Sequence, residues 1–261
     1  MNGNLRQPPL WRFIIFLFHT LGLPFQLFPI RVPRESQNLY QAAADHDAVI
    51  VFNGGGFGDF PLEKVADFAS VLEGVRDTVR HLGFRPITII YRRVPPGLAG
   101  KISGTKEQLN SFRLTSQFQI NDLGTLCRTF SQKKFILLGF SIGGALSAKT
   151  LAALEGIPNL YGITIGVPFW FQTFASAQSL VLNNDNLDPI CTGNLRIIAI
   201  NVVKSPGVWL KSRLTGKRIS LALSFKFPFH DYPWSSPRIG IPIRHFLENH
   251  LGRSNSPPDA P

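Results

Sequence analysis

The sequence predicts an α/β fold in which a mainly parallel sheet is flanked by helices on both faces. Short, β-branched apolar runs of strand length alternate with longer segments whose apolar residues recur at helical spacing. This alternation is typical of parallel sheets, because the crossover between parallel strands is usually a helix. A chain of 261 residues is long enough for one such domain, and no linker divides it. We therefore expect one α/β domain without a large cap domain.

The individual elements follow from the same patterns. Continuous apolar runs, expected for strands buried on both faces, predict strands over 48–52, 87–91, 135–138, 161–167, 195–203 and 219–225. Helical spacing predicts helices over 62–82, about 105–130, 143–154 and 243–251. Gly83 ends the first of these helices, and the segment Thr105 to Gln108 resembles a capping box that begins the second.

Outside this alternation the sequence predicts an apolar N-terminal arm over residues 1–45 and a disordered tail over 253–261, on either side of a domain over 46–252. Within the arm, the uninterrupted apolar run Phe13 to Phe18 is only six residues long. A membrane-spanning helix needs about 20 such residues. We therefore expect residues 10–30 to contact a membrane surface. Packing on the domain and a cleaved signal peptide are the alternatives.

The charge of the chain and its distribution indicate which kinds of partner to expect. The chain has 27 Lys and Arg against 16 Asp and Glu, a net charge of +11, spread thinly along its length. Without basic clusters or a recognised module we expect no nucleic-acid partner, and attraction to a membrane surface is the better interpretation.

Cys127 and Cys191 lack metal-ligand spacing, so we expect no cofactor and no metal. Two distant cysteines favour a reducing compartment, hence a cytoplasmic protein, with peripheral membrane attachment as the further option.

The most specific motif lies where the predicted strand 135–138 runs into a helix. The junction reads Gly139-Phe140-Ser141-Ile142-Gly143, a G-x-S-x-G pattern. A strand-to-helix turn this sharp strains the central residue, and side chains at 139 and 143 would clash. The serine then projects above the sheet at a helix N-terminus, which favours developing negative charge. A glycine-rich turn that binds phosphate, or nothing, is the alternative.

The motif and the order of elements over about 46–251 resemble the α/β-hydrolase superfamily of esterases, lipases and thioesterases. The resemblance implies that Ser141 is the nucleophile and that the backbone N–H of Ile142 is an oxyanion donor. It also implies a second donor in the loop after the first strand. That loop begins Asn53-Gly54-Gly55-Gly56 and looks like an HGGG loop with asparagine in place of histidine. Gly55 or Gly56 is then the donor.

A dinucleotide-binding loop does not fit the same segment, because position 59 is aspartate where that motif needs glycine. We expect Asp59 to cap the following helix. The resemblance implies a histidine base after the last strand, and His230 lies directly after the predicted strand 219–225. An ordinary loop histidine is the alternative for His230. His245 and His250 lie on the terminal helix, where surface positions are expected.

The acid of the triad is the open point. The resemblance implies a carboxylate after the penultimate strand, taken here as 195–203, yet no Asp or Glu occurs from Pro189 through His230. Asp231 is a poor geometric partner because it is adjacent to His230. The candidates are Asp185 and Asp188, before that strand, and Asn201 as a neutral orienting residue. The alternative for both aspartates is a solvated loop position.

The connection over 169–194 is too short for a cap domain. It begins with the aromatic residues Phe169, Trp170 and Phe171, which follow Pro168 in the segment PFWFQTF. A short apolar flap suits an acyl chain. The expected activity is therefore hydrolysis of an ester or thioester of an apolar acyl or lipid substrate through an acyl-enzyme on Ser141. The alternative is a catalytically weak or inactive relative that binds lipid or a protein partner, which the missing acid favours.

Overall fold

The computed structural model describes residues 36–56, 65–94, 98–216 and 227–252. Within these ranges the strands are β1 (Ala48–Asn53), β2 (Pro86–Ile90), β3 (Lys134–Phe140), β4 (Leu160–Ile165) and β5 (Ser179–Leu182). The helices are α1 (Ser36–Asp45), α2 (Ala66–His81), α3 (Leu98–Leu109), α4 (Arg113–Thr129), α5 (Ile142–Ala153), α6 (Pro189–Thr192), α7 (Leu195–Leu214) and α8 (Pro237–Leu251).

The strands form one parallel sheet in the order β2-β1-β3-β4-β5. The predicted parallel α/β architecture is therefore confirmed. The order reverses between β1 and β3, which are neighbours with Asn53 opposite Gly139. In sheets of this type ligands bind beyond the carboxyl ends of the strands at such a reversal. The loop after β1 and the turn after β3 meet at this point.

Each face of the sheet is covered by helices, as the apolar strands predict. Alternate residues of β1 and β3 point to opposite faces. One face packs Ile50 and Ile136 against α2 and α8, which contribute Val75 and Ile243 among others. The other face packs its strand residues against α4 and α5, including Leu146. The sheet is thus buried on both sides, and its carboxyl edge is the surface left for a site.

The prediction of a strand over 195–203 is wrong, because these residues form the first half of α7. A short apolar run has no periodicity that separates a buried strand from a helix. The helix start is fixed by Asn194, whose side chain accepts a hydrogen bond from the N–H of Ile197 at 3.3 Å. The last strand among the described residues is β5, a four-residue strand that the sequence analysis did not predict.

Other boundaries also differ from those predicted. Thr105 lies inside α3, which begins at Leu98, so it does not start a helix. The predicted helix 105–130 is divided into α3 and α4 at Ser111 and Phe112, whose φ values of 51° and 57° break the helical path. The predicted strand 219–225 lies outside the described residues.

Of the predicted N-terminal arm, residues 1–35 lie outside the described part of the chain, as does the predicted tail over 253–261. The last ten residues of the arm form α1. Ala42 and Ala43 are buried, and the Lys133 ammonium donates hydrogen bonds to the carbonyls of Ala43 and Ala44. α1 therefore packs on the domain. Among the described residues, no helix combines the length and apolar character needed to cross a bilayer.

Candidate active site

Ser141 occupies the one-residue turn between β3 and α5. Its backbone has φ 48° and ψ −119°, which non-glycine residues rarely adopt. Its N–H donates to the carbonyl of Ile165 in β4 at 2.7 Å, so the sheet holds the strained turn in place. Such a conformation costs on the order of 1–3 kcal/mol and is typical of functional sites. The first N–H groups of α5, including that of Ile142, have no partner within the helix and are available to an anion.

The glycines on either side of the turn have no room for a side chain. A Cβ on Gly139 would lie 2.3 Å from Ser147 Oγ and 2.7 Å from the carbonyl oxygen of Gly143. A Cβ on Gly143 would lie 2.2 Å from the carbonyl oxygen of Asn53 and 2.3 Å from that of Gly54. The requirement for glycine at both positions, predicted from the motif, is confirmed. It arises because α5 begins against the loop that follows β1.

The glycine loop lies beside Ser141. A Cβ built on Gly55 would be 3.4 Å from Ser141 Cβ, so the loop backbone is in reach of a group attacked by the serine. Asn53 is fully buried and anchors the loop, since its amide donates to Ser147 Oγ on α5 at 2.8 Å and to Gln119 Oε1 on α4 at 3.1 Å. Gln119 returns a hydrogen bond to Asn53 Oδ1 at 3.0 Å. Asp59, the predicted helix cap, lies outside the described residues.

The same loop is held from the other side by Arg93, which follows β2 and is buried. Its Nη2 donates to the carbonyls of Gly54 at 2.9 Å, Gly55 at 3.3 Å and Gly56 at 2.8 Å. Gln108 adds a hydrogen bond to the Gly56 carbonyl at 3.3 Å. A guanidinium can bond several acceptors at once in a fixed geometry. Arg93 therefore holds the three loop carbonyls on the same side of the loop. This role has no short-range signature in the sequence.

His230 and Asp188 are in direct contact. His230 Nδ1 donates to Asp188 Oδ2 at 2.6 Å. A carboxylate on Nδ1 fixes the tautomer with Nδ1 protonated and leaves Nε2 to accept a proton. Asp188 is fully buried, and the His230 side chain is about three-quarters buried, with 24% exposure. The solvated-loop interpretation of Asp188 is therefore wrong, and the structure brings together two of the residues that the sequence singled out.

Asp188 accepts further hydrogen bonds. The Tyr232 hydroxyl and the Cys191 thiol also donate to Oδ2, and the N–H of Ile190 donates to Oδ1 at 2.8 Å. Burial raises the pKa of Asp188, but the bonds from His230, Tyr232 and Cys191, with the charge of His230, lower it further than burial raises it. The pKa of Asp188 therefore lies below its ordinary value, and the group is a carboxylate at neutral pH. Neither Tyr232 nor Cys191 was indicated by the sequence patterns.

Two contacts connect the Asp188 cluster to the serine turn. The carbonyl of Ile165 bonds the Ser141 N–H, and the next residue, Gly166, packs against the Tyr232 ring so closely that a Cβ there would be 2.8 Å from it. Ser141 and the Asp188–His230 pair therefore share one edge of the sheet. Within the described chain, no hydrogen bond joins the Ser141 hydroxyl to the His230 ring. In free enzymes catalytic hydrogen bonds are often long and shorten only with substrate.

The other candidates for the acid lie away from His230. Asp185 is exposed and pairs with Arg238, with its Oδ2 2.9 Å from Arg238 Nε. Asn201 lies on α7, where its amide donates to the carbonyl of Ile197 one turn earlier at 2.8 Å. His250 is on α8 and contacts the carbonyl of Ala177 at 2.5 Å. Neither Asp185 nor Asn201 contacts His230.

The local sequence explains how Asp188 reaches this position. After β5 the chain reads Asn183-Asn184-Asp185-Asn186, and residues 184, 185 and 186 have φ between 56° and 63°. Asn and Asp tolerate this left-handed region better than other non-glycine residues, so the run turns the chain sharply back to Asp188. Asn184 also donates to the carbonyl of Phe229 at 2.9 Å, next to His230. A short apolar run followed by this polar turn was the signal for β5 that could have located the acid.

A cavity of about 260 Å³ lies next to the carboxyl ends of β4 and β5, and Cys191, which donates to Asp188, is among its lining residues. Its lining includes the aromatic residues Phe169 and Phe171, the aliphatic residues Val167 and Val181, and Cys191. Phe169 and Phe171 come from the aromatic start of the connection 169–194, which the sequence predicted as an apolar flap. Across the described ranges, no group of His, Cys, Asp or Glu side chains is arranged to hold a metal ion.

The sequence matches neither a protein-family model nor a curated protein. Among solved structures, the fold is similar to that of a Trichoderma reesei cutinase in complex with a C11Y4 phosphonate inhibitor. The match covers 92% of this chain and 99% of the cutinase, with 12% sequence identity and a TM-score of 0.53. With the parallel sheet order and the strained serine between β3 and α5, this likeness shows that the chain has the α/β-hydrolase fold.

Proposed function

We propose that this protein is a serine hydrolase that cleaves an ester or thioester of an apolar acyl or lipid substrate. The observation that carries the proposal is the contact of His230 Nδ1 with the buried Asp188 carboxylate, on the same sheet edge as Ser141. The three residues follow the chain order Ser, Asp, His, which is typical of the α/β-hydrolase triad. Asp188 has the role of the acid in this proposal.

The proposed reaction has two steps. His230 Nε2 takes the proton of the Ser141 hydroxyl as Oγ forms a bond to the substrate carbonyl carbon. The resulting oxyanion accepts hydrogen bonds from the N–H of Ile142 and from that of Gly55 or Gly56. The intermediate then expels an alcohol or thiol, which takes the proton from His230. Water hydrolyses the acyl-enzyme by the same route, releasing the acid and restoring Ser141.

The surroundings of the site support an apolar acyl group. The cavity that Cys191 lines also has aliphatic and aromatic side chains, together with the polar residues Thr173 and Asn183, and its apolar part suits an apolar group. Leu187 and Phe229, the neighbours of Asp188 and His230, are both exposed. The sequence-based alternative, an inactive relative, rested on the missing acid. Asp188 supplies a candidate for that acid, so we favour an active enzyme.

Covalent labelling by a fluorophosphonate probe tests the proposal. A fluorophosphonate reacts with an activated serine, because it places a phosphorus centre where the ester carbonyl would be attacked. We expect the wild-type protein to be labelled and Ser141→Ala to be unlabelled, with labelling of His230→Ala slower by at least about a hundredfold. Ser176→Ala, a loop serine remote from the triad, is the matched control and should label like the wild type. A folded wild-type protein that does not react would contradict the proposal and leave the binding role.

Substitution of Arg93 tests the arrangement of the oxyanion loop. Arg93→Met removes the donor that holds three loop carbonyls, so the loop N–H groups lose their fixed position. We expect kcat for a short p-nitrophenyl ester to fall about ten- to a hundredfold, somewhat less than the loss on deleting an oxyanion donor outright. KM should change less than kcat, since the loop acts mainly on the transition state.

Two further variants separate this effect from instability. Arg93→Lys retains the buried charge, but its ammonium lies on a shorter side chain that does not extend to the position of Nη2, and we expect it to lose activity as well. Arg128→Met, at an exposed position on α4, is the matched control and should retain wild-type kcat. Wild-type kcat in both Arg93 variants would show that the loop does not need the guanidinium.

A further inference from the structure

α7 presents an unusual surface for a helix of a water-soluble fold. Large apolar side chains along it are exposed: Leu195, Ile200, Val202, Val203, Val208, Leu210 and Leu214. Val203 and Leu214 have 79% and 80% of their surface accessible. A surface helix normally turns its apolar stripe towards the core and its polar face outward, so this helix has an apolar surface without a described partner.

The buried residues of α7 are small and polar, whereas Ile197, Ile198 and Trp209 are half-buried. Ser205 and Ser212 are buried, and Asn201 is half-buried. Their spacing of four and seven residues puts them on one side of the helix. Their polar groups are satisfied within the helix, since Ser205 Oγ donates to the carbonyl of Asn201 at 2.7 Å and Ser212 Oγ to that of Trp209 at 2.7 Å. Packing on the rest of the chain therefore does not account for the apolar residues.

The charged residues on α7, and those that follow it in the sequence up to His230, are all basic. From Pro189 through His230 the chain has seven basic residues and no acidic ones. The basic residues are Arg196, Lys204, Lys211, Arg213, Lys217, Arg218 and Lys226. Four of them lie on α7 itself, among the exposed apolar side chains. Exposed apolar area with positive charge and a tryptophan favours contact with anionic lipid, and on α7 the basic and apolar side chains are interspersed around the helix.

We propose that α7 is a membrane-docking surface that binds anionic lipid bilayers. Val203, Leu214 and their apolar neighbours would enter the interface between headgroups and acyl chains. The Lys and Arg side chains would extend along this apolar layer to reach the lipid phosphates. Trp209, whose ring lies 5.4 Å from the Arg213 guanidinium, has the amphipathic character favoured at that depth.

Charge argues against two other occupants of this surface. A second copy of the chain would bring the same positive helix against itself, and like charges oppose such contact. The apolar N-terminal residues could cover α7 within one chain, but residues 1–34 contain four arginines and no Asp or Glu. Both occupants would leave the basic side chains without negative partners. An anionic bilayer supplies the apolar layer and the negative charge together.

The docking surface adjoins the proposed active site. α7 begins at Leu195, and only the short helix α6 separates it from Asp188. Leu187 and Phe229, the chain neighbours of Asp188 and His230, are exposed apolar residues as well. A bilayer on α7 would lie next to the opening of the site. The substrate class would then be an acyl lipid delivered from the membrane, a step that rests on the proposed hydrolase activity, whereas the docking itself does not.

Vesicle co-sedimentation of the full chain tests the docking. Ser141→Ala is used throughout, so that lipid hydrolysis cannot change the vesicles. We expect binding to phosphatidylcholine vesicles with about a third phosphatidylglycerol to be at least about tenfold tighter than to pure phosphatidylcholine, because each basic residue near an anionic surface contributes about fivefold. Raising the salt should weaken it. The double substitution Val203→Glu and Leu214→Glu should weaken binding at least about tenfold.

The control is Ile241→Glu, the same kind of change on α8, where Ile241 is 61% exposed. It should bind like the parent protein, and circular dichroism should show all variants folded. Equal binding to neutral vesicles, or wild-type binding by the Val203 and Leu214 variant, overturns the proposal. Loss of binding in Phe16→Glu alone would assign the contact to the N-terminal residues instead. A dimer that these α7 substitutions dissociate in light scattering would assign the surface to a second copy. None of these outcomes changes the fluorophosphonate result.

Discussion

Asp188→Asn is expected to lower kcat for an ester substrate by about 10³- to 10⁴-fold while leaving KM and the fold largely unchanged. An amide cannot stabilise the imidazolium that forms on His230 during the reaction. Its NH2 group is itself a donor, so in the place of Oδ2 it could not accept the hydrogen bonds that His230, Tyr232 and Cys191 make there. The histidine would then adopt the wrong tautomer for part of the time. Steady-state kinetics on a p-nitrophenyl ester measure the effect.

The chain offers a matched control three residues away. Asp185→Asn makes the same chemical change at an exposed position that pairs with Arg238. Exposed ion pairs contribute little, so we expect wild-type kcat and stability from this variant. If Asp188→Asn were within about threefold of the wild type, His230 would not depend on this carboxylate and the proposed triad would be wrong.

The ionisation of Asp188 has a second measurable effect. Its pKa in the folded chain lies below the ordinary value of 3.8, because its hydrogen bonds outweigh the opposing effect of burial. A depressed pKa stabilises the folded state above the ordinary value, and this contribution is lost as the pH falls through the folded pKa. The acid-unfolding profile of Asp188→Asn should therefore be flatter below pH 4 than that of the wild type.

Gly143→Ala is the second substitution with a large expected effect. An alanine Cβ at this position would lie 2.2 Å and 2.3 Å from the carbonyl oxygens of Asn53 and Gly54. Neither is the end of a flexible side chain, so the loop after β1 or the start of α5 must move. We expect a loss of at least about 4 kcal/mol in the free energy of unfolding, or no folded protein. Urea unfolding followed by circular dichroism measures it.

Helix propensity alone predicts that Gly143→Ala would stabilise the protein instead of destabilising it. Alanine in place of glycine inside a helix normally gains about 1 kcal/mol. Gly207→Ala on α7 shows this ordinary effect, since a Cβ there has nothing within 4 Å, and we expect it to be neutral or slightly stabilising. A Gly143→Ala protein as stable as the wild type would mean that the close approach of α5 to the glycine loop is not needed.

The serine turn could be predicted because its requirements are local. Gly139, Ser141 and Gly143 are fixed by sterics within a few residues, and the strand before and the helix after them carry clear apolar patterns. The parallel sheet followed from the same kind of signal, since β1, β3 and β4 are continuous apolar runs. In each case the physical cause of the structure is contained in the segment itself.

The acid could not be chosen in the same way. Its position depended on which segment is the penultimate strand, and the run 195–203 has the composition of a strand although it forms α7. β5 has only four residues, so its apolar run is too short to predict a strand by itself, and only the polar turn after it indicates where the strand ends. The role of Arg93 was even less predictable from local sequence, because its three carbonyl partners lie 37 to 39 positions earlier in the chain. Only the folded sheet brings them together.

The thiol beside Asp188 has a consequence for the redox behaviour of the protein. Burial, together with the neighbouring carboxylate, raises the pKa of Cys191 to about 12, and burial raises that of Cys127 to about 12 as well. At neutral pH only about one such thiol in 10⁵ is ionised, and the thiolate is the form that oxidants and disulfides attack. Both cysteines should therefore resist peroxide and alkylating reagents. The hydrogen bond from Cys191 to Asp188 should therefore persist under oxidising conditions as well as under reducing ones.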